Sequence, residues 1–244
     1  MTAVLAIHSG GFSSRQWRKL AASLASCRVH TPDLIGYGAR PWPGGEPFHF
    51  RQDVEMLASL LDEPAHVVGH SYGGLLALQL ALARPDLVRS LALYEPVAFG
   101  ILDESSDQAA RDEVAGFRPY RFDPAAPDED WLRGFIEWWQ GAGAWDRLAP
   151  ETKDAFRAVG WKLSEEVASL VADRTDRATY ATITAPTLVL GGGRSPAAEQ
   201  AVVRKLAAAL PNATLRVFPE LGHMAPITHA AEINAAIVDH ISRS

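Results

Sequence analysis

Gly69-His70-Ser71-Tyr72-Gly73 stands between the apolar run Ala65 to Val68 and the run Leu75-Leu76-Ala77-Leu78-Gln79-Leu80-Ala81, and its reading decides the fold. The first run has the length of a strand covered on both faces; the second has the length of a helix. Strand, sharp turn and helix around G-x-S-x-G is the context of a nucleophile elbow. Side chains at the flanking positions would not fit so tight a turn, so glycines occupy them and the serine hydroxyl is pushed outward. The plainer alternative is a glycine-rich turn whose serine only caps the following helix. The flanking elements, and the partners found below, favour a reactive serine.

Upstream of the elbow, Val4 to Ile7 is another short apolar run, followed by the loop His8-Ser9-Gly10-Gly11-Phe12-Ser13. A helix is predicted over Ser14 to Ala25, a strand around Cys27 to Thr31, and a helix over Phe50 to Leu61 from the spacing of Val54, Leu57, Ala58 and Leu61. Pro41-Trp42-Pro43-Gly44-Gly45 reads as loop. Downstream, the elbow helix Tyr72 to Ala83 ends at Arg84-Pro85, because the residue before proline is steered out of helix, and Leu87 to Tyr94 supplies the next strand. Strands alternating with helices predict an α/β fold with a mostly parallel, doubly wound sheet.

The rhythm breaks over residues 99–183, which are rich in Asp, Pro and Trp. A structureless loop of that length is implausible in a compact domain. Helices are predicted near Asp107 to Phe117, Asp130 to Trp139 and Glu151 to Leu170, making this segment an inserted helical cap on a core of residues 1–98 and 184–244. It should face the elbow, because such sheets present their ligand site at the carboxyl ends of the strands. Alternation then resumes with strand Thr187 to Leu190, helix Pro196 to Leu210, strand Thr214 to Phe218 and helix His229 to Ser242.

Composition narrows the partners. A formal net charge of -6 gives no basic footprint for nucleic acid or an anionic membrane, so a small molecule is the expected ligand. No segment reaches the ~20 apolar residues of a membrane span, and the first residues read as a strand rather than a leader, so a cytoplasmic monomer or small homo-oligomer is expected. Cys27 is the one cysteine, expected to be buried and inert. The eight histidines form no zinc pattern, so no metal is expected.

A serine needs a base within hydrogen-bond reach. His223, in Leu221-Gly222-His223-Met224 just beyond the last strand, is the candidate. His8 is read as a brace for its loop, His70 as turned back toward the sheet, and His30, His49, His66, His229 and His240 as strand, loop and helix residues. An oxyanion would need two N–H donors. The Tyr72 amide is one; Gly10 is the first choice for the other, with Gly11 the fallback.

With these motifs, the chain resembles the α/β-hydrolase superfamily in its first-strand loop, elbow, post-strand Gly-His and insertion. The resemblance covers essentially the whole chain, with no room for the two leading strands of larger members, and implies the order nucleophile, acid, histidine without a cofactor. One position departs. Where most relatives carry an aspartate after a strand such as Pro186 to Leu190, this chain has Ser195, followed by Pro196, which suits a helix start with the hydroxyl as cap. Glu95, at the end of the strand beside the elbow strand, is the preferred acid, as some relatives carry theirs there; Asp33 and Glu220 are weaker choices. Serine at the elbow argues against dehalogenase and epoxide-hydrolase chemistry, whose family members use aspartate. An acyl-serine mechanism on a carboxylic ester or thioester remains. A ligand receptor on the same fold, prompted by the missing aspartate, and a C–C hydrolase, lyase or haloperoxidase-like enzyme are the alternatives. Trp131, Phe135, Trp138 and Trp139 share one helical face; most of that stripe is expected to be core between insertion and sheet, with Trp131, Trp138 and Trp139 the candidates for contact in an apolar, aromatic substrate pocket.

Overall fold

The computed structural model describes residues 1–42, 47–116, 120–121 and 126–244. Six strands form one sheet: β1 (Ala3–Ile7), β2 (Arg28–His30), β3 (Ala65–His70), β4 (Val88–Tyr94), β5 (Thr187–Gly192) and β6 (Ala213–Phe218). Their order is β2-β1-β3-β4-β5-β6, and every neighbouring pair is parallel. The predicted α/β architecture is thus present, with β2 shorter than the expected Cys27 to Thr31.

The two-residue period of the strands divides the interior into two cores. Leu5, Ile7, Val67, Leu91 and Leu93 point to one face, where α2 (Phe50–Ser59) and α3 (Tyr72–Ala83) pack. Val4, Ala6, Val68, Ala92 and Tyr94 point to the other, against α1 (Arg18–Ser23) and α11 (Ala230–Arg243). Apolar side chains in both registers explain why these strands read as unbroken hydrophobic runs. Nine of the twelve residues of α3 are buried, as its apolar character on every side requires. Cys27 is half-buried rather than buried: it packs at the margin of the second core, one residue before β2 begins.

The sheet reverses its winding direction between β1 and β3. Loops leaving the carboxyl ends of those two strands diverge there and open a crevice, the usual ligand position in such sheets. These are the loop after β1 and the turn carrying Ser71.

Between β4 and β5 the chain forms α4 (Gln108–Ala115), α5 (Glu129–Gln140), α6 (Ala144–Arg147), α7 (Pro150–Ala172) and α8 (Arg177–Tyr180). The three long helices match the sequence expectation to within two residues at each described end; Phe117, like Pro43 to Gly45 of the predicted loop, lies outside the described residues. The first turn of α5 is fixed by Asp128, which accepts from Trp131 N. The insertion has its own small core of Trp131, Leu132, Ile136, Trp145, Phe156 and Leu163. After β5 come α9 (Ala197–Ala209), β6, the short α10 (Ala225–Thr228) and α11. Among the described residues, no helix is long and apolar enough to cross a membrane.

Candidate active site

Ser71 occupies the turn between β3 and α3 with φ 56° and ψ -121°, a conformation rare outside glycine. The turn is held by close backbone approach on both sides. A Cβ at Gly69 would lie 2.4 Å from the Gly73 carbonyl oxygen; one at Gly73 would meet the carbonyl oxygens of Ile7 and His8 at 2.4 and 2.6 Å. Alanine at 73 would gain at most about 1 kcal/mol of helix propensity. The overlap with two fixed carbonyls outweighs that, so Gly73→Ala should lower stability by about 3 kcal/mol in urea unfolding. A midpoint equal to wild type would mean that the β1 loop yields freely.

The structure brings Ser71, His223 and Glu95 into one line. His223 Nε2 is 2.9 Å from Ser71 Oγ, and His223 Nδ1 is 2.7 Å from Glu95 Oε2. All three side chains are buried. Glu95 follows β4 with φ 44°, a left-handed turn that swings its carboxylate toward β5. Its other oxygen accepts from Gly192 N and from Ser195 Oγ, each at 2.6 Å. Glu199, in the first turn of α9, is also buried; burial first, and then the charge of Glu95, push its carboxyl well above the usual range, which keeps it neutral.

His223 is positioned from behind as well. His70 Nε2 donates to the His223 carbonyl at 2.9 Å, and His70 Nδ1 accepts from Gln16 Nε2 at 3.1 Å. Gln16 Oε1 in turn accepts from Ser9 N at 3.0 Å, so one chain of bonds ties the β1 loop to the His223 loop. Burial, reinforced by His223 nearby, drives the His70 pKa well down and keeps it neutral. His8 is likewise held neutral by burial, its pKa lowered to about 4; its Nε2 accepts from Leu34 N while Nδ1 donates to Ser9 O.

Above Ser71 lies an apolar cavity bounded by the β1 loop, the elbow and the insertion. Phe99, Phe135, Trp138 and Leu163 contribute to its wall, and Ser71, Tyr72, Gly10 and His223 to its floor. Among the described residues, the Gly10 and Tyr72 amides have no acceptor, whereas Gly11 N donates to the Tyr37 hydroxyl at 3.0 Å. Of the two loop glycines, Gly10 is thus the one with an N–H left for a ligand. Trp139 stacks on the His223 ring at 3.5 Å between centroids and 16° between planes.

The model of the alpha/beta hydrolase family matches residues 4–236, a span that runs from β1 through His223 into the last helix. The chain belongs to the alpha/beta hydrolase family. It is similar to Lipase LipV of Mycobacterium tuberculosis, 32% identical with 96% of this chain and 91% of that protein covered. It is also similar to a pimeloyl-[acyl-carrier protein] methyl ester esterase of Chromobacterium violaceum, 29% identical with 98% and 93% covered. Among solved structures, MenH from S. aureus superposes with a TM-score of 0.77 at 19% identity, covering 99% of this chain and 94% of that one, a likeness of fold.

Several residues of this alpha/beta hydrolase are placed differently from expectation. Ser195 does not cap α9, whose N-cap is Pro196 without a side-chain bond; its hydroxyl is drawn to Glu95 instead, because β5 ends beside β4. His70 turns along the carboxyl edge of the sheet, to the His223 carbonyl and Gln16, rather than back toward the sheet. Trp131 stacks on Phe135 at 5.4 Å inside the insertion's core and does not line the cavity, since it is almost two turns back along α5 from Trp138. Glu220 is exposed and pairs with Arg194; Asp33 accepts from Ser14 N and Ala39 N. Among the described residues, no cluster of His, Cys, Asp and Glu could hold a metal.

Proposed function

We propose that this alpha/beta hydrolase is a serine carboxylesterase cleaving esters or thioesters with an apolar acyl part. The unbroken Ser71–His223–Glu95 hydrogen-bond line at the floor of an apolar cavity carries this reading. Ser71 Oγ attacks the carbonyl carbon as its proton passes to His223 Nε2. The negative charge arriving on the carbonyl oxygen is met by the N–H groups of Tyr72 and Gly10, and the imidazolium is balanced by Glu95. His223 then returns the proton to the leaving alcohol or thiol, and a water repeats the sequence to release the acid. Residues 99–183 act as the cap, with Trp138 and Trp139 as the proposed substrate contacts. The receptor alternative drew on the missing aspartate; a carboxylate bonded to His223 removes its motive. Names of the relatives, a lipase and a methyl ester esterase, agree with ester hydrolysis.

A fluorophosphonate probe with p-nitrophenyl esters of graded chain length tests the proposal. Stoichiometric labelling mapped to Ser71, with kcat/KM rising at least about tenfold from acetate to the best-fitting longer acyl chain, is expected, since each buried methylene contributes about 0.8 kcal/mol. A label on another residue, or no turnover of any ester, would overturn it.

A further inference from the structure

Helix α7 of the insertion sends two charged side chains into the interior, one turn apart. Lys162 and Glu166 are both buried and bonded to each other at 2.6 Å. At this spacing a pair usually lies on a solvated face and contributes little. Here the pair is desolvated, at a penalty of several kcal/mol per ion, and Glu166 is the one carboxylate among the described residues lining a mostly apolar cavity. Burial raises its pKa to about 7, against the pull of Lys162. A leucine would fill that volume without such a penalty, so the polar contacts need an explanation.

They lead to both sources of oxyanion donors. Glu166 Oε2 accepts from the Tyr37 hydroxyl at 2.9 Å, and the oxygen of Tyr37 accepts from Gly11 N at 3.0 Å. The hydroxyl proton is committed to Glu166, so the lone pairs of Tyr37 are left for Gly11. The same carboxylate oxygen lies 2.5 Å from the point where a Cβ at Gly10 would stand, so the absence of a side chain there lets the carboxylate approach the loop closely. On the other side, the Tyr72 hydroxyl donates to Asp53 Oδ2 at 2.9 Å, and Lys162 Nζ reaches the same oxygen at 3.4 Å.

We propose that Glu166, acting through Tyr37, is a positioning residue that fixes the Gly10–Gly11 peptide and, across the Gly10 Cα, the adjoining Ser9–Gly10 peptide whose N–H faces the oxyanion, with Lys162 and Asp53 anchoring the Tyr72 side in the same way. The inference rests on the serine-esterase reading above. Its consequence is that the oxyanion site is complete only when α7 is docked, coupling cap position to transition-state stabilisation rather than to substrate binding alone.

The test uses the full chain with p-nitrophenyl butyrate as substrate and butylboronic acid as a tetrahedral mimic on Ser71. Tyr37→Phe keeps the ring and removes the relay. It should lower kcat by about ten- to a hundredfold, leave KM within about twofold, and weaken boronate binding by the same factor as kcat. Glu166→Leu should behave alike, while Glu166→Gln, which still offers an acceptor to Tyr37, should recover most of the rate. Wild-type kcat in Tyr37→Phe, or a loss carried by KM alone, overturns the relay even if Glu166→Leu fails to fold. If wild type neither turns over the ester nor binds the boronate, the esterase reading falls and the relay with it; an active wild type beside an unaffected Tyr37→Phe sinks the relay only.

Discussion

Ser71→Ala is expected to lower kcat for p-nitrophenyl butyrate by about 10⁶ and to abolish fluorophosphonate labelling, with the fold retained. Without Oγ there is no acyl-enzyme, and the His223 imidazole, 2.9 Å away, has no proton to take. What remains is the cavity and the Gly10 and Tyr72 amides, which on their own give about 10³ to 10⁴ over water. Residues that act as a unit fail as a unit. Adding His223→Ala to Ser71→Ala should therefore change kcat by less than about threefold, although His223→Ala alone should be nearly as damaging. Steady-state rates of the three variants check both statements. A Ser71→Ala enzyme within about tenfold of wild type would leave the serine without a role in the chemistry.

The elbow could be read from the sequence because its determinants are local: two apolar runs of different length, and glycines where the turn excludes Cβ atoms. Glu95 was reachable because the resemblance sets the strand after the elbow beside the elbow strand, as β4 is beside β3; alternation alone does not fix that order, since β3 pairs with β1 and not with β2. The supports behind the line were not. His70 meets Gln16 across 54 positions, and no local pattern announces such a bond. Lys162 and Glu166 have the spacing of an ordinary surface pair; only the docking of α7 onto the core buries them. The aromatic stripe on α5 gave the right face but not which end reaches the cavity: Trp139 stacks on His223, while Trp131 is absorbed into the insertion's core. Ser195 was read by a local capping rule, and a tertiary contact overrode it. Trp131 apart, the failures share a cause: each involves a polar group whose partner is set by packing between elements.

Glu95→Gln should lower kcat by about 10⁴ with KM nearly unchanged, and the bonds around the carboxylate say why. Oε1 accepts from the Gly192 amide, a donor that cannot turn around. A glutamine must therefore place its carbonyl oxygen there and its NH₂ group 2.7 Å from His223 Nδ1. That contact is tolerable only if Nδ1 is an acceptor, which forces the ring proton onto Nε2, the atom that has to accept from Ser71. The variant would hold the right shape in the wrong tautomer. The same bonds account for serine at 195: a second carboxylate within 2.6 Å of Oε1 would repel the charge of Glu95, whereas the hydroxyl donates to it. Glu199 avoids the same conflict by staying protonated. Comparing kcat and phosphonate labelling rates of wild type and Glu95→Gln checks the argument, since both depend on the basicity of Nε2 and should fall together. A variant within about tenfold of wild type in both would show that His223 finds its tautomer without Glu95, and the acid would then have to be sought elsewhere.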